Sequence, residues 1–116
     1  AVMVTTPSSV SEEDVTKCVS MTRMLNIKNI GLVENMSYLE CPHCDERINL
    51  FGESKGKDFA EAMDVDYLGD LPFRTSVSES ADIEEVPIVK SKPESDAAKG
   101  FMKIAQEIKS KYMNKD

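Results

Sequence analysis

The chain has 116 residues, of which 41% are hydrophobic and 30% charged; this is the composition of one soluble globular domain. Fourteen Lys and Arg against 21 Asp and Glu give a net charge of −7. Nucleic acid is therefore not an expected partner, because binding phosphates requires a basic surface. No apolar run approaches the roughly 18 residues that span a membrane, and no secretion signal opens the chain. We expect a single cytoplasmic domain over residues 1–116 without a membrane partner.

The first third of the chain predicts a strand, a helix and a second strand. Val2, Met3 and Val4 are consecutive and apolar, so Val2 to Thr5 is predicted to be a strand that is buried on both faces of a parallel sheet. Ser11 and the acids after it begin a helix that reaches about Asn26. Ile30 to Val33 is the next strand, which completes a parallel βαβ unit. The apolar face of the predicted helix holds Val15, Cys18, Val19, Thr22 and Leu25.

The rest of the chain predicts an insert and five further elements. The insert spans Ser37 to Gly52 and carries the cysteines of a CPHC motif. The later elements are a helix over about Lys57 to Asp64, a strand over Tyr67 to Gly69, helical turns over Ser76 to Ala81, a short edge strand over Val86 to Val89 and a helix over about Ala97 to Met113. The last helix has an apolar stripe of Phe101, Ile104, Ile108 and Tyr112. The sequence thus predicts an α/β fold in which helices flank a small, mostly parallel sheet.

The CPHC motif is a candidate metal site. Two residues between Cys41 and Cys44 allow both sulfurs to reach one metal from a tight knuckle. A closed tetrahedral site needs four ligands, and we expect Cys18 to be buried in the core and His43 to point outward. Two ligands would then come most economically from a second copy of the chain. Two pairs of thiolates suit either zinc or an iron–sulfur cluster.

A redox role is the alternative chemistry for CPHC, since DsbA-like thiol oxidases carry the same tetrapeptide. A redox CxxC opens a helix, whose positive end lowers the pKa of the first thiol. Here the motif is followed by DERINLFGES, which alternates and then breaks at Gly52. That pattern favours a hairpin or knuckle over a helix. Cluster binding, a zinc-bearing assembly module and a thiol–disulfide oxidoreductase remain the three hypotheses from these residues.

Asn35 is a candidate ligand-binding residue because it lies just past the C-terminal end of a predicted buried strand. In open α/β sheets, ligands bind at that end of the strands. An amide side chain can pair with both a donor and an acceptor on a purine edge. The alternative is that Asn35 simply forms a turn after the strand.

These features occur in a recognisable order: AVMVTTPSS, then NIGLVENMSYLECPHC, INLFGES, YLGDLPF and SKPESDAAKGFMKIAQEI. Nearly the whole chain thereby resembles the C-terminal half of the Mrp/ApbC family, iron–sulfur cluster carrier ATPases of the MinD/ParA group of P-loop proteins. The resemblance implies a homodimer that bridges a 4Fe-4S cluster through Cys41 and Cys44 of each subunit and delivers it to apo iron–sulfur proteins. It also implies that Asn35 faces the adenine of ATP, and that Leu71, Pro72 and Phe73 close around the base and ribose.

The chain departs from that family at its phosphate site. P-loop ATPases cradle phosphates with a Gly-rich loop and a Lys, and use an acid to hold Mg²⁺. The sequence has no GK[ST] motif, and in the family these elements precede the first strand seen here. We therefore expect a partial P-loop NTPase fold, with ATP and Mg²⁺ binding only together with the missing N-terminal half and no ATP hydrolysis by this chain alone. Arg74 and Thr75 also replace an Asp and a Pro common around the base.

Overall fold

The computed structural model describes residues 1–40, 43–44, 46–49, 54–73 and 88–113. The elements in chain order are β1 (Val2–Thr5), α1 (Ser9–Met24), β2 (Gly31–Glu34), β3 (Leu39–Glu40), β4 (Arg47–Ile48), α2 (Gly56–Met63), β5 (Asp66–Asp70), α3 (Ile88–Ser91) and α4 (Asp96–Ile108), which continues into a π-helical turn (Lys109–Met113). None of the helices in these ranges is long and apolar enough to cross a membrane.

The main sheet has three strands in the order β1–β2–β5, and both pairings are parallel. This confirms the three strands that the apolar runs predict. β2 is the central strand and is buried along its whole length, as expected for a parallel strand covered on both faces. A register irregularity between Leu32 and Val33 shifts the pairing of β2 with β5.

The two faces of the sheet carry separate core clusters, because successive side chains of a strand point to opposite sides. Leu32 of β2 packs on one face with Val15 and Val19 of α1 and Ala60 of α2. The next residue, Val33, packs on the other face in a cluster completed by Leu68, Leu71 and Ile104. Helices α1 and α2 thus cover one face of the sheet, and α4 covers part of the other.

The buried stripe of α1 is narrower than the sequence suggests. Ser8, rather than Ser11, caps the helix, and its side chain accepts a hydrogen bond from the amide of Ser11. The expectation that Cys18 is a buried core residue is wrong, because Cys18 is exposed. Cys18 and Leu25 lie about 60–90° around the helix from the centre of the stripe formed by its buried residues. Those buried residues are Val15, Val19 and Thr22.

The C-terminal part of the chain confirms one predicted helix and corrects a predicted strand. α4 begins after the capping residue Ser95, whose hydroxyl accepts from the amide of Ala98. The predicted edge strand over Val86 to Val89 is wrong at its second half, since residues from Ile88 onward form α3. A proline followed by a short apolar run does not distinguish a strand from a helical turn. The helical turns predicted over Ser76 to Ala81 lie outside the described residues.

The stripe predicted on the last helix is only partly buried. Ile104 is in the core, and Ile108 and Tyr112 pack against it, whereas Phe101 is 38% exposed. At the opposite side of the sheet, β1 pairs with β2 alone among the described strands. Its Val2 and Val4 are 45% and 57% exposed. The expectation that this strand is buried on both faces is therefore wrong, because the face with Val2 and Val4 is exposed. Among the described strands β1 is also an edge strand, and such an edge is open to pairing with another chain.

Tyr112 joins the C-terminal turn to the sheet, since its Oη donates a 2.6 Å hydrogen bond to Asp66 Oδ2. Burial, and then this bond to a carboxylate, raise the pKa of Tyr112 above its ordinary value. The folded chain therefore holds this proton more tightly than the unfolded chain. The resulting stability is complete below the unfolded pKa of about 10 and is lost as the pH rises above it.

We accordingly expect Tyr112→Phe to lower the free energy of unfolding by about 0.5–1 kcal/mol at neutral pH. The variant should also lose less stability than the wild type between pH 9 and 11, values that bracket the ordinary tyrosine pKa of about 10, because phenylalanine has no proton to release. Urea unfolding of both proteins across this range measures the difference. Parallel stability curves would contradict the expectation.

Candidate functional site at the carboxyl edge of the sheet

Polar residues occupy the C-terminal ends of all three parallel strands. Thr5, Glu34 and Asp70 are aligned across the sheet in register, and Thr5 and Glu34 are 1% and 0% exposed. The chain stays paired just beyond the strands, with the amide of Asn35 bonded to the carbonyl of Thr5 and that of Leu71 to the carbonyl of Glu34. This edge is where ligands bind in open α/β sheets.

Asn35 follows β2 and is half-buried at this edge. Its Oδ1 accepts a 2.9 Å hydrogen bond from the amide of Met36. Met36 has a φ of 54°, a left-handed conformation that is uncommon for a long side chain. The Asn35 side chain thus supports a tight turn, as the turn-forming alternative expects. Contact with a purine base stays a prediction.

Leu71, Pro72 and Phe73 follow β5 and run beside the segment that leaves β2. The carbonyl of Leu71 accepts from the amide of Ser37, and the amide of Phe73 donates to the carbonyl of Tyr38 over 2.7 Å. The structure therefore brings these residues to the same edge as Asn35. The side chain of Leu71, however, lies in the core cluster under α4. Leu71 and Pro72 are buried, whereas Phe73 is partly exposed.

A small cavity of about 220 Å³ opens between this edge and α4. Its polar lining comes from Tyr38, from Tyr67 and Asp70 on β5, and from Asp96 and Lys103 on α4. Burial first, and then the negative charges of Asp70 and Glu34, raise the pKa of Tyr67 above its ordinary value. The Tyr67 phenol therefore stays neutral and offers a hydrogen-bond donor beside two carboxylates.

Glu34 is the site residue that the sequence reasoning missed. Its carboxylate has no exposed surface and accepts hydrogen bonds from the hydroxyls of Ser37 and Ser54 and from the amide of Lys55. The available signal was the position itself: a glutamate directly ends an apolar run predicted to be buried. Charged residues are almost never fully buried unless they are satisfied by specific partners.

The described residues of the cysteine-bearing insert contain a β-hairpin. β3 and β4 pair antiparallel, with Leu39 opposite Ile48 and Glu40 opposite Arg47. The guanidinium of Arg47 stacks over the ring of Tyr38 at 3.6 Å from the ring centroid, a cation–π contact at the base of the hairpin. The expectation of a hairpin rather than a helix after CPHC is confirmed.

Cys44 and its neighbour His43 are exposed in the turn between β3 and β4. Cys41 and Pro42 lie outside the described residues, so the convergence of the two thiols stays a prediction. A thiol in a hairpin turn lacks the helix N-terminus that activates redox cysteines. Among the described ranges, no group of three or more His, Cys, Asp and Glu side chains could hold a metal ion.

A three-stranded parallel sheet between helices, with polar groups at its carboxyl edge, defines an open α/β domain. The structure of the MinD cell division protein of Aquifex aeolicus superimposes with a TM-score of 0.69 over 95% of this chain and 43% of that chain, at 13% identity. A nucleotide-binding protein of Archaeoglobus fulgidus, solved with ADP, gives a TM-score of 0.62 at 33% identity, over 74% of this chain and 35% of that one.

Residues 1–109 match the family model described as ParA, NUBPL iron-transfer P-loop NTPase. The chain belongs to this family, which confirms the resemblance inferred from its motifs. It is 40% identical to the iron–sulfur cluster transfer protein NUBPL of Dictyostelium discoideum over 93% of its length and 33% of that protein. It is 42% identical to the iron–sulfur cluster carrier protein of Pyrococcus abyssi over 96% of its length and 37% of that protein. The chain therefore spans about a third of the curated relatives it matches.

Proposed function

We propose that the chain is the cluster-binding part of an iron–sulfur cluster carrier, and that Cys41 and Cys44 ligate a 4Fe-4S cluster. The observation that carries the proposal is the position of Cys44, which is exposed in the turn between two antiparallel strands. Thiolates are the usual protein ligands of iron–sulfur clusters. An exposed hairpin turn suits a cluster that must leave, whereas a buried site would retain it. The names of the relatives, iron–sulfur cluster carrier and transfer proteins, support the same function.

The cluster is proposed to lie between two copies of the chain. A 4Fe-4S cluster takes four thiolates, and one CPHC motif supplies two of them. A two-fold axis that brings two exposed hairpin turns together completes the set with no further residue. Because Cys18 is exposed, burial does not exclude it as a ligand, and the test of its role is a substitution. Apo iron–sulfur proteins are the proposed acceptors.

Anaerobic reconstitution with iron and sulfide tests this function against its alternatives. The proposal predicts a brown protein with a broad visible absorption band that appears together with a dimer. Colourless binding of zinc, without a cluster, would favour an assembly module instead. Reduction of insulin disulfides by the metal-free chain would favour an oxidoreductase, which the hairpin setting of Cys44 already disfavours.

Nucleotide binding by the chain alone is expected to be weak. Asn35 and residues 71–73 offer at most a base pocket, and no GK[ST] motif is present to bind phosphates. We expect ATP to bind with a Kd above about 1 mM, which corresponds to less than about 4 kcal/mol. Isothermal titration calorimetry with Mg-ATP measures this affinity. A micromolar Kd would contradict the expectation and would reveal a phosphate site elsewhere in the chain.

A further inference from the structure

The buried carboxylate of Glu34 contacts both ends of the segment that carries the cysteines. At the near end, the hydroxyl of Ser37 donates to Oε1 over 2.8 Å. At the far end, the hydroxyl of Ser54 donates to the same oxygen over 2.6 Å, and the amide of Lys55 donates to Oε2 over 3.2 Å. Segment 37–55 therefore begins and ends on one side chain of the central strand.

α2 begins with Gly56, whose lack of a side chain allows the backbone to lie close to this carboxylate. A Cβ atom on Gly56 would lie 2.9 Å from Glu34 Oε2 and 2.9 Å from Tyr67 Cε1, closer than real Cβ contacts allow. Lys55 precedes α2 without a side-chain cap of its own. Glu34 instead accepts from the backbone amide of Lys55 itself, and its negative charge suits the positive end of the helix.

The donors match an ionised carboxylate. Two hydroxyls and one backbone amide reach its two oxygens, and an ionised carboxylate acts only as an acceptor, with room for about four such bonds. None of these three donors is cationic, so neutral dipoles stabilise the buried charge. Hydrogen bonds to a charged group are stronger than neutral ones. Breaking the hydrogen bonds at one end of segment 37–55 therefore has a measurable cost in free energy.

We infer that Glu34 is a positioning residue for the cysteine hairpin: its carboxylate fastens both ends of segment 37–55 and so fixes where the CPHC turn is presented. The expected consequence of this role is retention of the cluster, and that consequence rests on the proposed function. The fastening itself is independent of any cluster, because all of its atoms belong to the chain.

Hydrogen exchange of the chain without metal tests the fastening. Ser54→Ala removes the far-end hydroxyl, and Glu34→Ala removes the shared acceptor. We expect the Lys55 amide to exchange about tenfold faster in Glu34→Ala, the factor that corresponds to one charge-assisted hydrogen bond, and the amides around Ser37 to follow. Ser20→Ala is the matched control, because the hydroxyl of Ser20 bonds within α1 to the carbonyl of Thr16. Unchanged Lys55 exchange in Glu34→Ala would overturn the inference.

Cluster release from the reconstituted protein tests the consequence. We expect Ser54→Ala and Glu34→Ala to take up the same amount of iron as the wild type and to lose it to a chelator several-fold faster. Val19→Ala, a core substitution on α1 at a residue that is 1% exposed, controls for lost stability and should release iron at the wild-type rate. If instead the rate of iron release rises in all three variants in proportion to their loss of stability, Glu34 has only a structural role and the inference is overturned.

Two outcomes separate this inference from the proposed function. A wild-type chain that takes up no cluster contradicts the proposed function, while faster exchange in the variants still supports the fastening. A wild-type chain that binds a cluster, with variants that release it at the wild-type rate, keeps the function and contradicts the positioning role. If Glu34→Ala does not fold, Ser54→Ala decides the matter, since Ser54 is exposed and outside the core.

Discussion

Replacing Cys41 and Cys44 by serine is expected to abolish the iron–sulfur cluster and any dimer that depends on it. Each chain contributes two thiolates to the proposed site, so either single substitution removes two of the four ligands from a symmetric dimer. Serine keeps the size of the side chain but is a poor ligand for iron compared with thiolate. Visible absorption and iron content after anaerobic reconstitution measure the loss, which should be complete in the double variant.

Cys18→Ala is the matched control for these variants. Cys18 is exposed on α1, so the substitution should cost little stability and should leave both cluster and dimer intact. Loss of the cluster in Cys18→Ala would show that the ligand set contains Cys18. A cluster that survives in the Cys41→Ser, Cys44→Ser double variant would reject CPHC as the site altogether.

Leu32→Ala should produce the largest loss of stability among core substitutions. Leu32 lies in the central strand β2, is 0% exposed and packs against helices α1 and α2 through the core cluster on that face. Truncating a buried leucine removes apolar contacts and leaves a cavity, at a cost of about 2–5 kcal/mol. Small domains have only about 5–15 kcal/mol of total stability, so this change should shift the urea midpoint markedly.

Leu25→Ala is the control for this substitution, because Leu25 is 67% exposed at the end of α1. It removes the same atoms from a leucine in solvent and should change the free energy of unfolding by less than about 0.5 kcal/mol. Urea unfolding followed by circular dichroism measures both variants. Equal effects of the two substitutions would contradict the placement of the core on β2.

The fold was predictable from the sequence because local signals agree with it. Continuous apolar runs mark the strands β1 and β2, and spaced apolar residues mark α1, α2 and α4. Errors occur where a residue lies at the margin of a pattern. Cys18 lies beside the buried stripe of α1 rather than within it. Its small apolar side chain is compatible with a buried or an exposed position. Val86 to Val89 is too short a run for periodicity to separate a strand from a helix.

The candidate site was predictable where chemistry is concentrated in a short motif and not where it depends on distant contacts. CPHC indicates its own hairpin turn through the alternating residues that follow it. Glu34 is a site residue because it contacts Ser54 and Lys55, which lie twenty and twenty-one residues later in the chain. Local sequence patterns do not predict contacts at such a separation. Leu71 is at the predicted edge, but the packing of α4 turns its side chain into the core.

Native mass spectrometry of the anaerobically reconstituted chain shows whether two copies share one cluster, because it weighs protein chains and cluster atoms in the same ion. We expect one dominant species that contains two chains, four iron atoms and four sulfides. When Cys41 and Cys44 are both serine, only apo monomers should be present. A monomer that carries a whole cluster, or a dimer that carries zinc and no sulfide, would contradict this expectation.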